Sequence, residues 1–416
     1  TMEEPIVVGI DIGTTKICTL VARLEGDTDM RILGVGIEPA LGIKKGNVVD
    51  ISTATQSISR SIEKAQRTSG LEIESALVSL AGSHVMAMNS RGVVGISGGV
   101  ISQEDVDRAL EAAMAVAMPH NREIIHVIQR GFTVDGQEGI QSPVNFSGFR
   151  LEVEAHIITA AAATVENLRQ CVNGCNVDVL QFVLNPLASG EVVLNKPERD
   201  MGVCICDIGG GTSDLAIYIN GDVWHTDVLP VAGNQITNDI AIGLHISPEQ
   251  AEQIKKQYGH AITGEVGEGE FFTLRTFGDD QPKQISRREL AYIIEARVEE
   301  IFQLLHQEVR RSGYENLLPA GMILTGGTSQ LPGIRQLAAD VLNMPVRVAR
   351  PENLVGLVDQ LQSPAYSTSV GLLKWSELMT QPSYAVTHPR KPKTSGFKPS
   401  VLNWDKLKVL VERLLP

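Results

Sequence analysis

A glycine turn that occurs twice constrains this chain most. Ile10-Asp11-Ile12-Gly13-Thr14-Thr15 and Cys206-Asp207-Ile208-Gly209-Gly210-Gly211 carry Asp, Ile and Gly in the same order, with almost half the chain between them. Each closes one apolar run and opens another, so each reads as the tip of a β-hairpin. A tip stripped of Cβ atoms lets backbone N–H groups approach phosphate oxygens closely. Thr14, Thr15, Thr212 and Ser213 add hydroxyl donors, and Lys16 adds a positive charge. Asp11 and Asp207 end strands that would face one another, where two carboxylates can hold hydrated magnesium through water. Any hairpin needs one such turn. Two of them, with a third in Leu324-Thr325-Gly326-Gly327-Thr328-Ser329, point to a nucleoside triphosphate, ATP with magnesium, held between two similar halves. The chain lacks both the Gly-Lys-Ser/Thr of a P-loop and a Gly-x-Gly-x-x-Gly after its first strand.

Hydrophobic periodicity supplies the frame. Strands are predicted at 6–12, 16–23 and 30–36, then a helix at 52–68 with Ile58, Ile62 and Ala65 on one face and Gly70 after its end. A short buried strand follows at 76–80. Residues 83–155 change character and read as a small inserted α/β unit, with a capped helix opening at Ser102 and strands at 124–134 and 149–158. Strand–helix alternation then resumes. Helix 164–174, strand 177–184, a helix opened by Pro186 and strand 201–206 lead to the second glycine turn. A long helix is predicted over 287–312, with Ser286 and Glu289 as its capping box, Leu290, Ile294, Val298, Ile301 and Leu305 as its apolar stripe and Gly313 as its stop. Strand 322–325 and a helix from about Pro332 follow.

A length of 416 residues is too great for one core, and aromatics at 4% leave the cores to Ile, Val, Leu and Ala. The net charge of −13 argues against general nucleic-acid binding. Cys204 and Cys206 alternate on one side of a strand, and only Cys171/Cys175 offers a second close pair, so reduced thiols are expected rather than a metal site. No basic leader with a cleavable apolar stretch precedes residue 6, so no signal peptide is expected. No apolar run approaches the roughly 20 residues that span a bilayer.

The three turns resemble the phosphate-1, phosphate-2 and adenosine motifs of the actin, heat-shock chaperone and sugar kinase superfamily. That resemblance implies an α/β, actin-like fold: two ribonuclease-H-like halves around an ATP cleft, with an inserted small α/β subdomain. Asp11, Gly13, Thr14, Thr15, Lys16, Asp207, Gly209, Gly210, Gly211 and Thr212 would hold the phosphates, and Gly326, Gly327 and Ser329 would meet the adenosine. Glu252 and Lys255 match a ribose contact of actin-like members. Asn185, in Asn185-Pro186-Leu187-Ala188-Ser189, stands where active relatives keep Glu or Gln to orient the attacking water. It cannot act as a base, so the chain is expected to be at most a weak ATPase.

Within the superfamily, the insert comes one strand later than the extra subdomain of actin and MreB. Its position, with Gly82-Ser83-His84, 207–214, Lys255-Lys256-Gln257-Tyr258-Gly259 and 324–333, is similar to the FtsA family and its pilus relative PilM. The family implies an ATP-dependent, head-to-tail actin-like filament that ties the FtsZ C-terminal tail to the cytoplasmic face of the membrane at the division site. Later division proteins would be recruited through the insert, and Arg297 would meet the acidic FtsZ tail. The expected layout is a first half at 5–82, completed by 156–198 and about 366–380. The insert spans 83–155, the second half 199–245 and 321–365, and a further subdomain 246–320.

The tail favours FtsA. Residues 381–400 read as a flexible basic linker and 401–416 as an amphipathic helix. Trp404, Leu407, Leu410, Val411, Leu414 and Leu415 share one face, with Lys406, Lys408 and Arg413 among the residues meeting anionic lipid. A PilM-like pilus assembly protein and a soluble ATPase or kinase of the same superfamily are the alternatives.

Overall fold

The computed structural model describes residues 5–25, 29–115, 119–278 and 281–379. The linker and amphipathic helix read at 381–416 lie outside these. Strand β1 (Ile6–Ile12) turns at Gly13 into β2 (Lys16–Glu25), which pairs with β3 (Asp29–Pro39) in an antiparallel meander. A two-residue ladder, β4 (Ile43–Lys44) with β5 (Asn47–Val48), leads to α1 (Ile51–Ser69). Asp50 caps that helix by accepting from the Thr53 N–H, and Gly70 ends it at a φ of 71°. The apolar face carrying Ile58, Ile62 and Ala65 is buried in the first core. β6 (Ser75–Leu80) then pairs in parallel with β1.

The insert has its own sheet and core. It runs β7 (Val85–Gly95), α2 (Gln103–Met114), β8 (Arg122–Val134), β9 (Gln137–Ile140) and β10 (Arg150–Ala161), with strand order β7-β10-β8-β9. Alternate residues such as Val127, Leu151, Val153 and Ile157 pack under Val106 and Leu110 of α2. The chain returns through α3 (Ala162–Asn173), β11 (Asp178–Leu184), α4 (Asn185–Val193) and α5 (Lys196–Met201).

The second half repeats the first. β12 (Val203–Ile208), β13 (Ser213–Ile219) and β14 (Asp222–Leu229) form the meander. Next come α6 (Gly233–Leu244), α7 (Pro248–Tyr258), β15 (Phe271–Leu274), β16 (Lys283–Ser286) and α8 (Arg287–Ser312). β17 (Met322–Thr325), α9 (Ile334–Leu342), β18 (Val346–Val348), β19 (Val355–Gly356) and α10 (Ser367–Leu378) finish the described chain. The sheet orders are β11-β6-β1-β2-β3-β19 and β14-β13-β12-β17-β18. In both, a meander's first strand is flanked by a parallel strand, so each glycine turn sits at the same place in its half. Cys204 and Cys206 share one face of β12, buried in the second core, whereas Val203 and Ile205 join the core shared with α4.

One expectation is corrected. Ser286 makes no side-chain cap to α8. It is the last residue of β16, paired with Phe271, and the helix's first N–H, that of Arg287, is taken by the Glu270 carbonyl at 2.9 Å. The Glu270 carbonyl takes the first of the helix's free N–H groups, so the chain enters α8 directly from the β15–β16 ladder.

Candidate functional site

The two hairpins close in the same way. The Gly13 N–H donates to the Lys16 carbonyl at 3.0 Å, and the Gly209 N–H donates to the Thr212 carbonyl at 2.9 Å. The tips face each other across the halves. A Cβ on Gly210 would overlap the Thr15 hydroxyl, and one on Gly211 the Thr14 hydroxyl. The third turn closes the same space from the end of β17. Gly326 has a φ of 86°, and a Cβ there would strike an Asp207 carboxylate oxygen and the Ile208 carbonyl. Thr328 Oγ1 donates to the Gly209 carbonyl at 2.8 Å. The start of α6 is stitched to the second hairpin, since Gly233 N–H donates to Gly209 O at 3.1 Å and Asn234 N–H to Gly210 O at 2.8 Å. The start of α6 is thereby fixed against the second hairpin, and Gly233, Asn234 and Ile236 line the cleft.

The cleft has a volume of about 550 Å³, with walls from both halves. Its lining includes Asp11, Gly13, Thr14, Thr15, Lys16, Asn185, Asp207, Gly209, Gly210, Gly211, Thr212, Glu252, Lys255, Gly326 and Gly327. Ser329 lies outside it, buried, with its hydroxyl turned onto the Gly326 carbonyl at 2.7 Å. Arg297 is also elsewhere, ion-paired with Asp239 of α6 and Glu300 of its own helix. Glu252 and Lys255 form an ion pair at 2.6 Å on α7, and Lys255 also reaches the Gly233 carbonyl at 3.1 Å. Lys16 Nζ is held by the Ala365 carbonyl and lies 4.8 Å from the centre of the Tyr366 ring.

Two carboxylates form the floor. Asp11 accepts from Ser79 Oγ at 3.1 Å and from Ser369 Oγ at 2.7 Å. Asp207 accepts from Thr368 Oγ1 at 2.7 Å. Burial, and then the charge of Asp11, push the Asp207 carboxyl up to about 6. A third carboxylate was not read from the sequence as a site residue. Asp214 lines the cleft and is raised well above the usual range, first by burial and then by Asp207. It accepts from Thr212 Oγ1 at 3.0 Å and from the Asn185 amide at 3.5 Å. Asp214 Oδ1 and Asn185 Oδ1 are both buried without a hydrogen-bond partner among the described residues. The available signal was an acid opening an otherwise apolar strand. Thr368, Asn234 and Lys256 also line the cleft and were missed. Thr368 lies in a Ser-Thr-Ser run at a helix start, a pattern that local reading assigns to capping.

Comparison with known proteins agrees with this geometry. A family model described as "Cell division protein FtsA" matches residues 204–371, and one described as "SHS2 domain inserted in FTSA" matches residues 82–159. The cell division protein FtsA of Pseudomonas aeruginosa is 41% identical over 402 residues, covering 94% of this chain and 96% of that protein. Among solved structures, the PilM–PilN type IV pilus biogenesis complex superposes with a TM-score of 0.63 at 17% identity, over 89% of this chain and 98% of that one. MreB5 of Spiroplasma citri bound to ADP gives a TM-score of 0.51 at 14% identity, over 91% and 97%. These two show the actin-like fold. At 41% identity along almost its whole length, the chain belongs to the FtsA family of cell division proteins, whose role is to anchor FtsZ.

Proposed function

We propose that this chain binds ATP with magnesium in the interdomain cleft and polymerises head to tail. In this reading it attaches FtsZ to the cytoplasmic face of the membrane through residues 401–416, and the insert recruits later division proteins. The observation that carries the nucleotide reading is the pair of glycine hairpins, one from each half, closing on one cleft above Asp11 and Asp207. The ADP bound to MreB5 on the same fold supports it.

The donor set fits a hydrated magnesium ion. It offers hard oxygen atoms, namely two carboxylates of opposite halves and the unpartnered oxygens of Asn185 and Asp214. No group of three or more His, Cys, Asp or Glu is arranged as a metal cage among the described residues, so water would complete the shell. Magnesium would neutralise phosphate charge. Lys16 and the free N–H groups at the hairpin tips would orient the phosphates. Asn185 itself cannot act as a base, so in this reading the chain is at most a weak ATPase.

Arg297 is the reading for the FtsZ tail. It is partly exposed on α8, and Ile242 of the packed helix α6 and Tyr292 of α8 are exposed large apolar side chains. No helix among the described residues is long and apolar enough to cross a membrane, and the basic amphipathic segment 401–416 would lie flat on one.

The test is co-sedimentation of the full chain with FtsZ polymers and flotation with anionic liposomes, each with and without ATP and magnesium. The chain should associate with both, and deleting 401–416 should abolish flotation while sparing ATP binding. A full chain that associates with neither would instead be a soluble ATPase or kinase. Flotation by the truncated chain would remove the anchor assignment.

A further inference from the structure

Helix α10 begins with three buried hydroxyl residues, Ser367, Thr368 and Ser369, and each reaches a different strand end. Ser369 donates to Asp11 Oδ2 at 2.7 Å, at the end of β1. Thr368 donates to Asp207 Oδ2 at 2.7 Å, at the end of β12. Ser367 shares a hydrogen bond of 2.7 Å with Thr325, the last residue of β17. One helical turn thus touches the floor carboxylate of the first half, that of the second half and the strand leading to the third glycine turn.

The helix itself has little freedom. A Cβ on Gly371 would overlap the Ala188 carbonyl of α4, and one on Gly9 of β1 would press on Leu372. Val370, Leu372, Leu373 and Trp375 are fully buried. α10 is therefore seated on the first half, and Thr368 is an arm that reaches across to the second.

We propose that Thr368 and Ser369 are positioning residues, through which α10 fixes the Asp11 and Asp207 carboxylates of the two halves relative to one another for one hydrated cation. This rests on the magnesium–nucleotide reading above. Thr368 lines the cleft and Ser369 does not, and the hydroxyl of each is committed to a carboxylate. Each acts by leaving its carboxylate one fixed orientation. A purely structural role would satisfy two buried carboxylates and do nothing specific for the ion, and the two roles differ in what magnesium adds to nucleotide binding.

The experiment measures the affinity of the full chain for a fluorescent ATP analogue, once with magnesium and once with EDTA. Thr368→Val keeps the side-chain shape and removes the donor. It should reduce the magnesium enhancement by about tenfold, the worth of one charge-assisted hydrogen bond, while the affinity in EDTA moves far less. Thr368→Ser should restore the enhancement. Ser369→Ala should act in the same direction through Asp11, and it carries the test should Thr368→Val not fold. Equal losses with and without magnesium, or a wild-type enhancement in both Thr368→Val and Ser369→Ala, would overturn the positioning role. A wild-type chain that binds no nucleotide at all would overturn the nucleotide reading and this inference with it.

Discussion

Asp207 is held against its own preference. Its carboxyl sits at about 6 instead of the usual 3.8, because burial and then Asp11 disfavour the charge. A raised carboxyl contributes stability that is fully present below 3.8 and is lost as pH rises through about 6. At neutral pH without a cation, the ionised side chain therefore opposes the folded state. Asp207→Asn should make the nucleotide-free protein more stable at pH 7.5, by up to about 3 kcal/mol, with the gain shrinking toward pH 4. The same variant should lose magnesium-dependent nucleotide binding. Thermal melting at the two pH values checks the first statement, and a variant less stable than wild type at pH 7.5 would contradict it. Gly210 is constrained from the other side. Valine there would overlap the Thr15 hydroxyl and crowd Asn234 Oδ1, forcing the hairpins apart. Affinity for a fluorescent ATP analogue should fall at least about tenfold while the nucleotide-free fold persists, since the added atoms enter a cleft and not a core. Unchanged affinity would remove the phosphate-grip assignment.

At the scale of elements, periodicity and turn chemistry carried the reading where they act alone. The stripe on α8 and its stop were legible because apolar spacing and a left-handed glycine, φ 81° at Gly313, are local. The start of α8 was not legible because Ser286 is paired in a strand ladder with Phe271, and a sequence pattern does not reveal such a long-range partner. The glycine turns were legible as a repeat, but the residues that finish the cleft were not. Thr368 reaches Asp207 from 161 positions away. Asn234 joins the cleft through one backbone bond to Gly210, which leaves no mark on residue type. Arg297 shows the limit of a motif match. Its guanidinium is already paired with Asp239 and Glu300, so an acidic tail must compete with two carboxylates. Arg297→Glu sets three acids together on α6 and α8 and should weaken binding of an FtsZ tail peptide by about tenfold or more. Wild-type affinity in that variant, read by fluorescence anisotropy, would move the tail's site elsewhere.

At the scale of the whole molecule, the insert is not a free appendage. It has a core of its own, yet its polar face lies on β14 at the edge of the second half's sheet. Asn89 Oδ1 can only accept, so the 2.7 Å bond to His156 places the ring proton on Nδ1, and Nε2 accepts from the Thr226 hydroxyl at 2.9 Å. Burial lowers the imidazole to about 3, so this neutral arrangement persists across the physiological range. The Asn89 amide caps the Trp224 carbonyl at 3.4 Å, and Arg130 lies 4.3 Å from the centre of the Trp224 ring. Trp224 and Thr226 belong to the strand that runs on through residues 230–232 into the start of α6 at the cleft. The seam therefore links the insert, where a partner is proposed to dock, with the wall of the proposed nucleotide site. His156→Ala would leave the Asn89 oxygen and the Thr226 hydroxyl without this partner, at a cost of about 1–3 kcal/mol. Because β14 is an edge strand, the loss should appear there first. Hydrogen exchange across 222–229 should accelerate while the central strand 203–208 keeps its protection. If the seam is only incidental contact, both segments will exchange as in wild type, and the insert will have no physical route to the cleft through β14.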